Sequence, residues 1–164
     1  MEYGWLALLL CVGLLIPILL AVLVSAPLVF PPLAASSLII ATQSQHLNSH
    51  PRAVVLGHGC GILAGLAVVV TFGISQDGST LVELTPVHGA AALVAVFVCV
   101  LLMAVAGVSH APALATALMI GLGLIFGLRQ ILVLMAGVVI LTYVFTLIHK
   151  SARVSYPWWA TPER

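Results

Sequence analysis

Four long runs of apolar residues without a single charged side chain constrain the fold of this chain more than any other feature. They cover residues 4–24, 54–74, 87–107 and 131–148. A helix of about 20 apolar residues crosses the hydrocarbon core of a bilayer, so each run predicts a membrane helix. Charged residues make up 5% of the 164 residues, where a soluble domain has roughly 25%. The sequence therefore predicts an all-α polytopic membrane protein, with one transmembrane domain over residues 1–150 and a short cytoplasmic tail over 151–164.

Two shorter apolar runs, residues 27–42 and 112–128, each begin with a proline. Proline fits the first turn of a helix and interrupts a helix that precedes it, so both runs are either short tilted spans or re-entrant half-helices. The positive-inside rule favours six crossings with both termini cytoplasmic. In that arrangement Arg52 and the basic tail lie inside, and Arg129 lies outside. The first run is interpreted as a membrane helix because no basic residue precedes it and it is longer than the core of a signal peptide.

An internal repeat relates the two halves of the chain with an offset of eighty residues and no gaps. Each half contains a long, a short and a long apolar run, over about 4–74 and 87–148. With six crossings the second half is inserted upside down, as in many channels and transporters. The alternative is a chance recurrence of common apolar residues. The matched residues are Pro32, Ala35, Ser36, Leu38, Ile40 and Ala41 with Pro112, Ala115, Thr116, Leu118, Ile120 and Gly121.

The beginnings of the two short helices form a candidate anion site. Helix N-termini carry unpaired amide N–H groups and a partial positive charge, and Pro32 and Pro112 mark these starts. The hydroxyl groups of Ser36, Ser37 and Thr116 follow within the next turns and can donate to a small anion. The alternative for each hydroxyl is a bond to the carbonyl four residues back, with the hydroxyls holding neighbouring helices together.

Histidines supply the ionisable groups of the membrane segments. His58 and His110 are candidates for the permeation pathway, because a protonated imidazole can pair with an anion; neutral rings bonded to backbone carbonyls are the alternative. His88 is expected at the membrane interface. His46 and His50 have the spacing of metal ligands on a helix, but the polar residues and proline around them favour a loop, so no metal site is expected there.

Small residues at intervals of four suggest close contact between helices, at Gly57, Gly61 and Gly65 and again at Gly123 and Gly127. The alternative is a groove for the permeating ion.

An enzyme is not expected, since every carboxylate lies at a terminus or in the long loop and no nucleophile is paired with a base. The three cysteines lie in apolar runs and do not have the spacing of metal ligands. A net charge of +1 excludes nucleic-acid binding. The sequence thus predicts neither cofactor nor metal.

Three segments together resemble the HPP family of small integral membrane proteins. They are Phe-Pro-Pro-Leu-Ala-Ala-Ser-Ser at residues 30–37, His-Pro-Arg-Ala-Val-Val-Leu-Gly-His-Gly at 50–59 and Ser-His-Ala-Pro-Ala-Leu-Ala-Thr-Ala-Leu at 109–118. The chain has His-Ala-Pro where the family signature is His-Pro-Pro. The resemblance implies a passive or coupled transporter of a small inorganic anion, since characterised relatives look like nitrite transporters.

Three further expectations concern the setting of the protein. A non-transporting accessory subunit of a larger membrane complex is the competing function, which an apolar, glycine-rich face without a polar cavity would favour. So small a bundle is expected to form a homo-oligomer in the lipid bilayer. With no transit segment before the first run, a bacterial plasma membrane is the expected location.

Overall fold

The computed structural model describes residues 3–23, 25, 30–74, 84–125, 127–154 and 156. Within these ranges the chain is helical and contains no β-strand, which confirms the predicted fold class. Four helices are long and apolar enough to cross a membrane, and two are shorter. The helices are α1 (Tyr3–Leu23), α2 (Pro31–Thr42), α3 (Pro51–Phe72), α4 (Pro86–Val105), α5 (Pro112–Gly121) and α6 (Gly127–Ser151), with a 3-10 turn at Leu47–Ser49 before α3.

Prolines begin four of these helices: Pro31, Pro51, Pro86 and Pro112. Proline has no N–H to leave unpaired in the first turn, and its fixed φ already suits the helix. Both α3 and α6 begin before the apolar runs that predicted them, because their first turns include polar residues. Of the short run predicted from residue 27, residues 27–29 lie outside the described part of the chain.

The helix α5 is shorter than the apolar run 112–128, because it ends at Gly121 and a turn follows. Gly123 has φ +71° and Gly127 has φ +73°, in the left-handed region that glycine adopts without strain. The prediction that these two glycines form a packing face is therefore wrong. A helix of ten residues is about 15 Å long at 1.5 Å per residue, half of a hydrocarbon core of about 30 Å.

The helix α3 lies at the centre of the bundle, in contact with α4, α5 and α6. It is also the most buried of the four long helices. The predicted close contact along its glycines is confirmed. A Cβ on Gly61 would lie 2.5 Å from the Ala113 carbonyl oxygen, and one on Gly65 would lie 2.6 Å from Ile120 Cβ. The face of α3 that carries Gly57, Gly61 and Gly65 thus packs directly on α5.

Two long-range contacts show which helix ends meet. At the beginning of α3, Arg52 donates to the carbonyls of Ala106 and Gly107, just after α4. The Tyr156 hydroxyl, just after α6, donates to the Ser49 carbonyl at the same end of the bundle. Since α4 and α6 both end there, α5 and the turn after it carry the chain back to the opposite end. This favours a crossing of the membrane by α5, while the crossing by α2 and the inversion of the repeat stay predictions.

Candidate functional site

Four fully buried polar side chains meet at the centre of the bundle: Ser36, His58, His110 and Thr116. Ser36 lies on α2, His58 on α3 and Thr116 on α5, while His110 precedes the first turn of α5. Each has an exposed fraction of 0%. All four belong to the seven residues that the sequence predicted for the anion site, and the fold brings them together from positions up to eighty residues apart.

These side chains form one continuous row of hydrogen-bond contacts. His58 Nδ1 lies 2.8 Å from Thr116 Oγ1, and His58 Nε2 lies 2.9 Å from Ser36 Oγ. His110 Nε2 lies 2.9 Å from the same Ser36 Oγ, and its Nδ1 lies 2.9 Å from the Asn48 carbonyl oxygen. The two imidazole rings are 5.2 Å apart between centroids. We call this row, from Thr116 to the Asn48 carbonyl, the histidine–hydroxyl chain.

The first turns of α3 hold His110 in position. A Cβ on Gly57 would lie 2.8 Å from His110 Cβ, so only glycine lets the segment before α5 approach so closely. The Arg52 guanidinium meanwhile binds the two carbonyls just after α4, at 3.0 and 2.9 Å. A cation at this place also complements the negative end of the α4 dipole. The α4–α5 connection is therefore attached to α3 on both sides of the point where His110 enters the bundle.

The other three predicted site residues have different roles. Pro32 contributes its backbone carbonyl, which accepts a bond of 3.0 Å from the Ser36 hydroxyl. Pro112 is buried and begins α5. Ser37 is buried too, but its hydroxyl donates to the Ala34 carbonyl at 2.7 Å and does not join the chain. The bond to the carbonyl four residues back, which the sequence offered as the alternative, is observed for Ser36 in addition to its contacts with the histidines, and Ser37 bonds to the carbonyl three residues back.

The amide groups at the starts of the short helices already have partners. The Leu33 N–H donates to the Phe30 carbonyl at 2.9 Å, and the Ala113 N–H donates to the His110 carbonyl at 3.0 Å. The prolines before them have no N–H to offer. In this geometry the donors nearest the centre of the bundle are therefore the side chains of the histidine–hydroxyl chain.

A cavity of about 640 Å³ lies beside the Asn48 end of this chain. Arg52 supplies a positive charge to its wall, and Asn48 is part of the wall while its carbonyl faces His110. We call it the Arg52 cavity. The sequence marked Arg52 only as a guide to topology, and a backbone carbonyl such as that of Asn48 leaves no signal in residue types. The lining consists of Gln45, His46, Leu47, Asn48, Arg52, Ala53, Ala104, Gly107, Val108 and Ser109.

Three of the other histidines in the described segments have structural partners, and the fourth, His46, lines the Arg52 cavity. His88 closes the first turn of α4 in a capping box with Thr85, and its place at the membrane interface stays a prediction. His50 donates from Nε2 to the Ser44 carbonyl at 3.1 Å, and His149 donates from Nδ1 to the Phe145 carbonyl at 2.8 Å. The described residues contain no group of three or more His, Cys, Asp or Glu placed to hold a metal ion.

No carboxylate side chain lies in the described part of the chain. All four acidic residues of the sequence fall outside it, at Glu2, Asp77, Glu83 and Glu163. Among the described residues, the charged side chains near the site are therefore basic, as Arg52 is.

Comparison with known proteins identifies the family. The family described as "HPP, transmembrane region" matches residues 1–157, nearly the whole chain. No curated protein and no solved structure matches it. The match includes the three segments that carry the resemblance, and with them all four side chains of the histidine–hydroxyl chain. This protein, a multi-pass membrane bundle, is therefore a member of the HPP transmembrane family.

Proposed function

We propose that this protein moves a small inorganic anion across the membrane, with nitrite as the first candidate. The observation that carries the proposal is the fully buried histidine–hydroxyl chain beside the Arg52 cavity. Buried polar groups are costly in a membrane bundle and are concentrated on the paths of solutes and protons. Here they connect a cationic cavity at one end of the bundle to its interior.

The chemistry of this site suits an anion rather than a cation. The Arg52 guanidinium attracts negative charge to the cavity, and imidazole N–H and hydroxyl groups donate hydrogen bonds to it. Membership of the HPP family supports transport, and the family resemblance is what suggests nitrite.

An anion in the Arg52 cavity has one direct route to the centre. It would replace the Asn48 carbonyl as the acceptor of the His110 Nδ1–H, which is 2.9 Å from that oxygen. The hydroxyls of Ser36 and Thr116 then lie next along the same row of contacts. In this proposal side chains of α2 and α5, rather than the amide groups at the beginnings of these helices, make the contacts with the ion.

The test is uptake of nitrite, nitrate, formate and chloride into liposomes that contain the purified protein, with empty liposomes as the baseline. We expect saturable nitrite uptake. The double variant S36A/T116A should reduce the initial rate about thirtyfold, because two hydrogen bonds of about 1 kcal/mol each are lost. S37A is the matched control, since it removes a buried hydroxyl from the same helix outside the chain.

Two results would contradict the proposal in different ways. Normal uptake by a folded S36A/T116A variant would remove the histidine–hydroxyl chain from the pathway. Absence of uptake for all four anions by the folded wild-type protein would reject transport of these ions, and would favour the competing function of an accessory subunit.

A further inference from the structure

We infer that the histidine–hydroxyl chain binds one proton together with each anion, so that the protein couples anion and proton movement one to one. This inference rests on the proposed function and names the second ion of the same site. Its basis is the number of hydrogens available to the contacts around Ser36.

Three polar atoms lie within hydrogen-bond distance of the Ser36 hydroxyl oxygen. They are the Pro32 carbonyl oxygen at 3.0 Å and the Nε2 atoms of His58 and His110, each at 2.9 Å. A hydroxyl donates one hydrogen and accepts two. Because a carbonyl only accepts, the contact with Pro32 requires the Ser36 hydrogen. Both imidazoles must then donate to Ser36 from Nε2 if all three contacts are to be hydrogen bonds.

That arrangement defines the protonation of both rings. His110 also donates from Nδ1, since its partner there is the Asn48 carbonyl. A His110 ring with hydrogens on both nitrogens is an imidazolium. His58 stays neutral, because its Nδ1 can accept from the Thr116 hydroxyl. The full set of contacts therefore holds one proton more than the neutral side chains supply.

Release of that proton needs only a turn of one hydroxyl. With His110 Nε2 deprotonated, the Ser36 hydrogen points to this nitrogen instead of the Pro32 carbonyl, and His58 Nε2 still donates to Ser36. All the other bonds keep their direction. The chain thus has two bonded states that differ by one proton, with the same positions of the heavy atoms.

The protonated state calls for a negative charge that the described residues do not provide. A buried imidazolium without a counter-charge is costly. The packed helices α2 and α5 carry no titratable side chain, and no other packed element adds an anionic group at neutral pH. Those elements contribute Tyr3, Cys11, Arg52, Cys60, His88, Cys99, Arg129, Tyr143, His149 and Lys150, and the adjacent loop contributes His46 and His50. An anion arriving from the Arg52 cavity is placed to supply this counter-charge, and the two ions then stabilise each other.

The experiment measures nitrite uptake and internal acidification together, in liposomes with an entrapped pH dye, after subtraction of the rates in empty liposomes. We expect one proton per nitrite and no effect of a potassium diffusion potential, because the pair carries no net charge. H110Q cannot be protonated, so it should lose the acidification, and its residual uptake should respond to the potential. H88Q is the control, since glutamine at that position can preserve the capping box.

The outcomes separate this inference from the proposed function. Nitrite uptake without acidification, and accelerated by an inside-positive potential, would overturn the coupling and leave anion transport in place. Absence of uptake by the wild-type protein would overturn both.

Nitrogen-15 NMR of labelled histidines gives a readout that needs no variant. Nitrite should produce one imidazole with both nitrogens protonated, and rings that stay neutral at saturating nitrite would contradict the inference.

Discussion

Ser36 and Thr116 occupy matching positions in the two halves of the sequence, and in the structure they contact opposite nitrogens of one ring, that of His58. The same offset of eighty residues relates His58 to Val138 and His110 to Phe30, which are both apolar and buried. The two hydroxyls therefore follow the repeat, whereas the two imidazoles do not. As a result the bundle has one histidine–hydroxyl chain rather than two related ones.

Residue types were enough to predict the side chains of this site, but not the backbone carbonyls that accept hydrogen bonds from them. Hydroxyls and imidazoles in apolar segments stand out in the sequence, and the fold unites Ser36 with both histidines. Ser37 could not be separated from Ser36 in this way, because a turn of about 100° per residue around the helix axis decides which one faces α3. The carbonyls of Pro32 and Asn48 could not be predicted, since every residue has one.

Tyr156 offers a prediction at the scale of a single bond. Its hydroxyl donates to the Ser49 carbonyl at 2.6 Å, and its ring stacks on His149 with 4.5 Å between centroids. Burial raises the pKa of this hydroxyl, so it keeps its hydrogen throughout the range of ordinary buffers. Y156F should lower the free energy of unfolding by about 1 kcal/mol, measured by denaturation in detergent. Y143F, on an exposed ring, should have no effect; equal stability of both variants would show that the Tyr156 bond contributes nothing.

Among the helices, the contact of α3 with α5 decides where the site residues meet. The spacing of Gly57, Gly61 and Gly65 predicted a close approach, but it did not identify the partner helix. The same spacing at Gly123 and Gly127 belongs to a turn with positive φ. Spacing alone does not separate the two cases, because a left-handed backbone conformation at glycine has no signature in the residues four positions away.

A substitution at Gly61 tests this contact. In G61A the new Cβ meets the Ala113 carbonyl oxygen at 2.5 Å, a backbone atom that cannot move without α5. We expect a loss of stability of about 1–3 kcal/mol and reduced anion uptake, because Thr116 moves with α5. G59A is the control on the same helix, since its Cβ would meet only the end of Met135 at 3.8 Å. Thermal denaturation in detergent compares the two, and equal melting temperatures would mean that α5 is not held by this contact.

For the molecule as a whole, the apolar runs predicted the number and order of the helices, while the ends depended on local turns. The short helices could not be assigned as crossing or re-entrant from so few charges. Long-range contacts now favour crossing by α5, because the ends of α4 and α6 both lie beside the beginning of α3, whereas crossing by α2 stays a prediction. Association with further copies of the chain stays a prediction, which the mass of the protein in detergent would check.

The crossing number leads to a labelling prediction. With six crossings and cytoplasmic termini, residue 46 faces the cytoplasm and residue 128 faces outward, and both side chains are exposed. Single cysteines H46C and L128C, in a background without Cys11, Cys60 and Cys99, should differ in intact cells. An impermeant maleimide should label only L128C. Labelling of both positions from outside would contradict six crossings, and labelling of H46C alone would reverse the orientation.

The 3-10 turn at Leu47–Ser49 has a practical consequence for anyone who handles this protein. Its last two carbonyls serve different neighbours: Asn48 accepts from His110 inside the bundle, and Ser49 accepts from Tyr156 after the last helix. A single residue thus separates the carboxyl-terminal segment from the centre of the molecule. An affinity tag or fluorescent fusion is better attached before α1 than after Tyr156. A displacement of Tyr156 would shift the Ser49 carbonyl, and with it the neighbouring Asn48 carbonyl that accepts from His110.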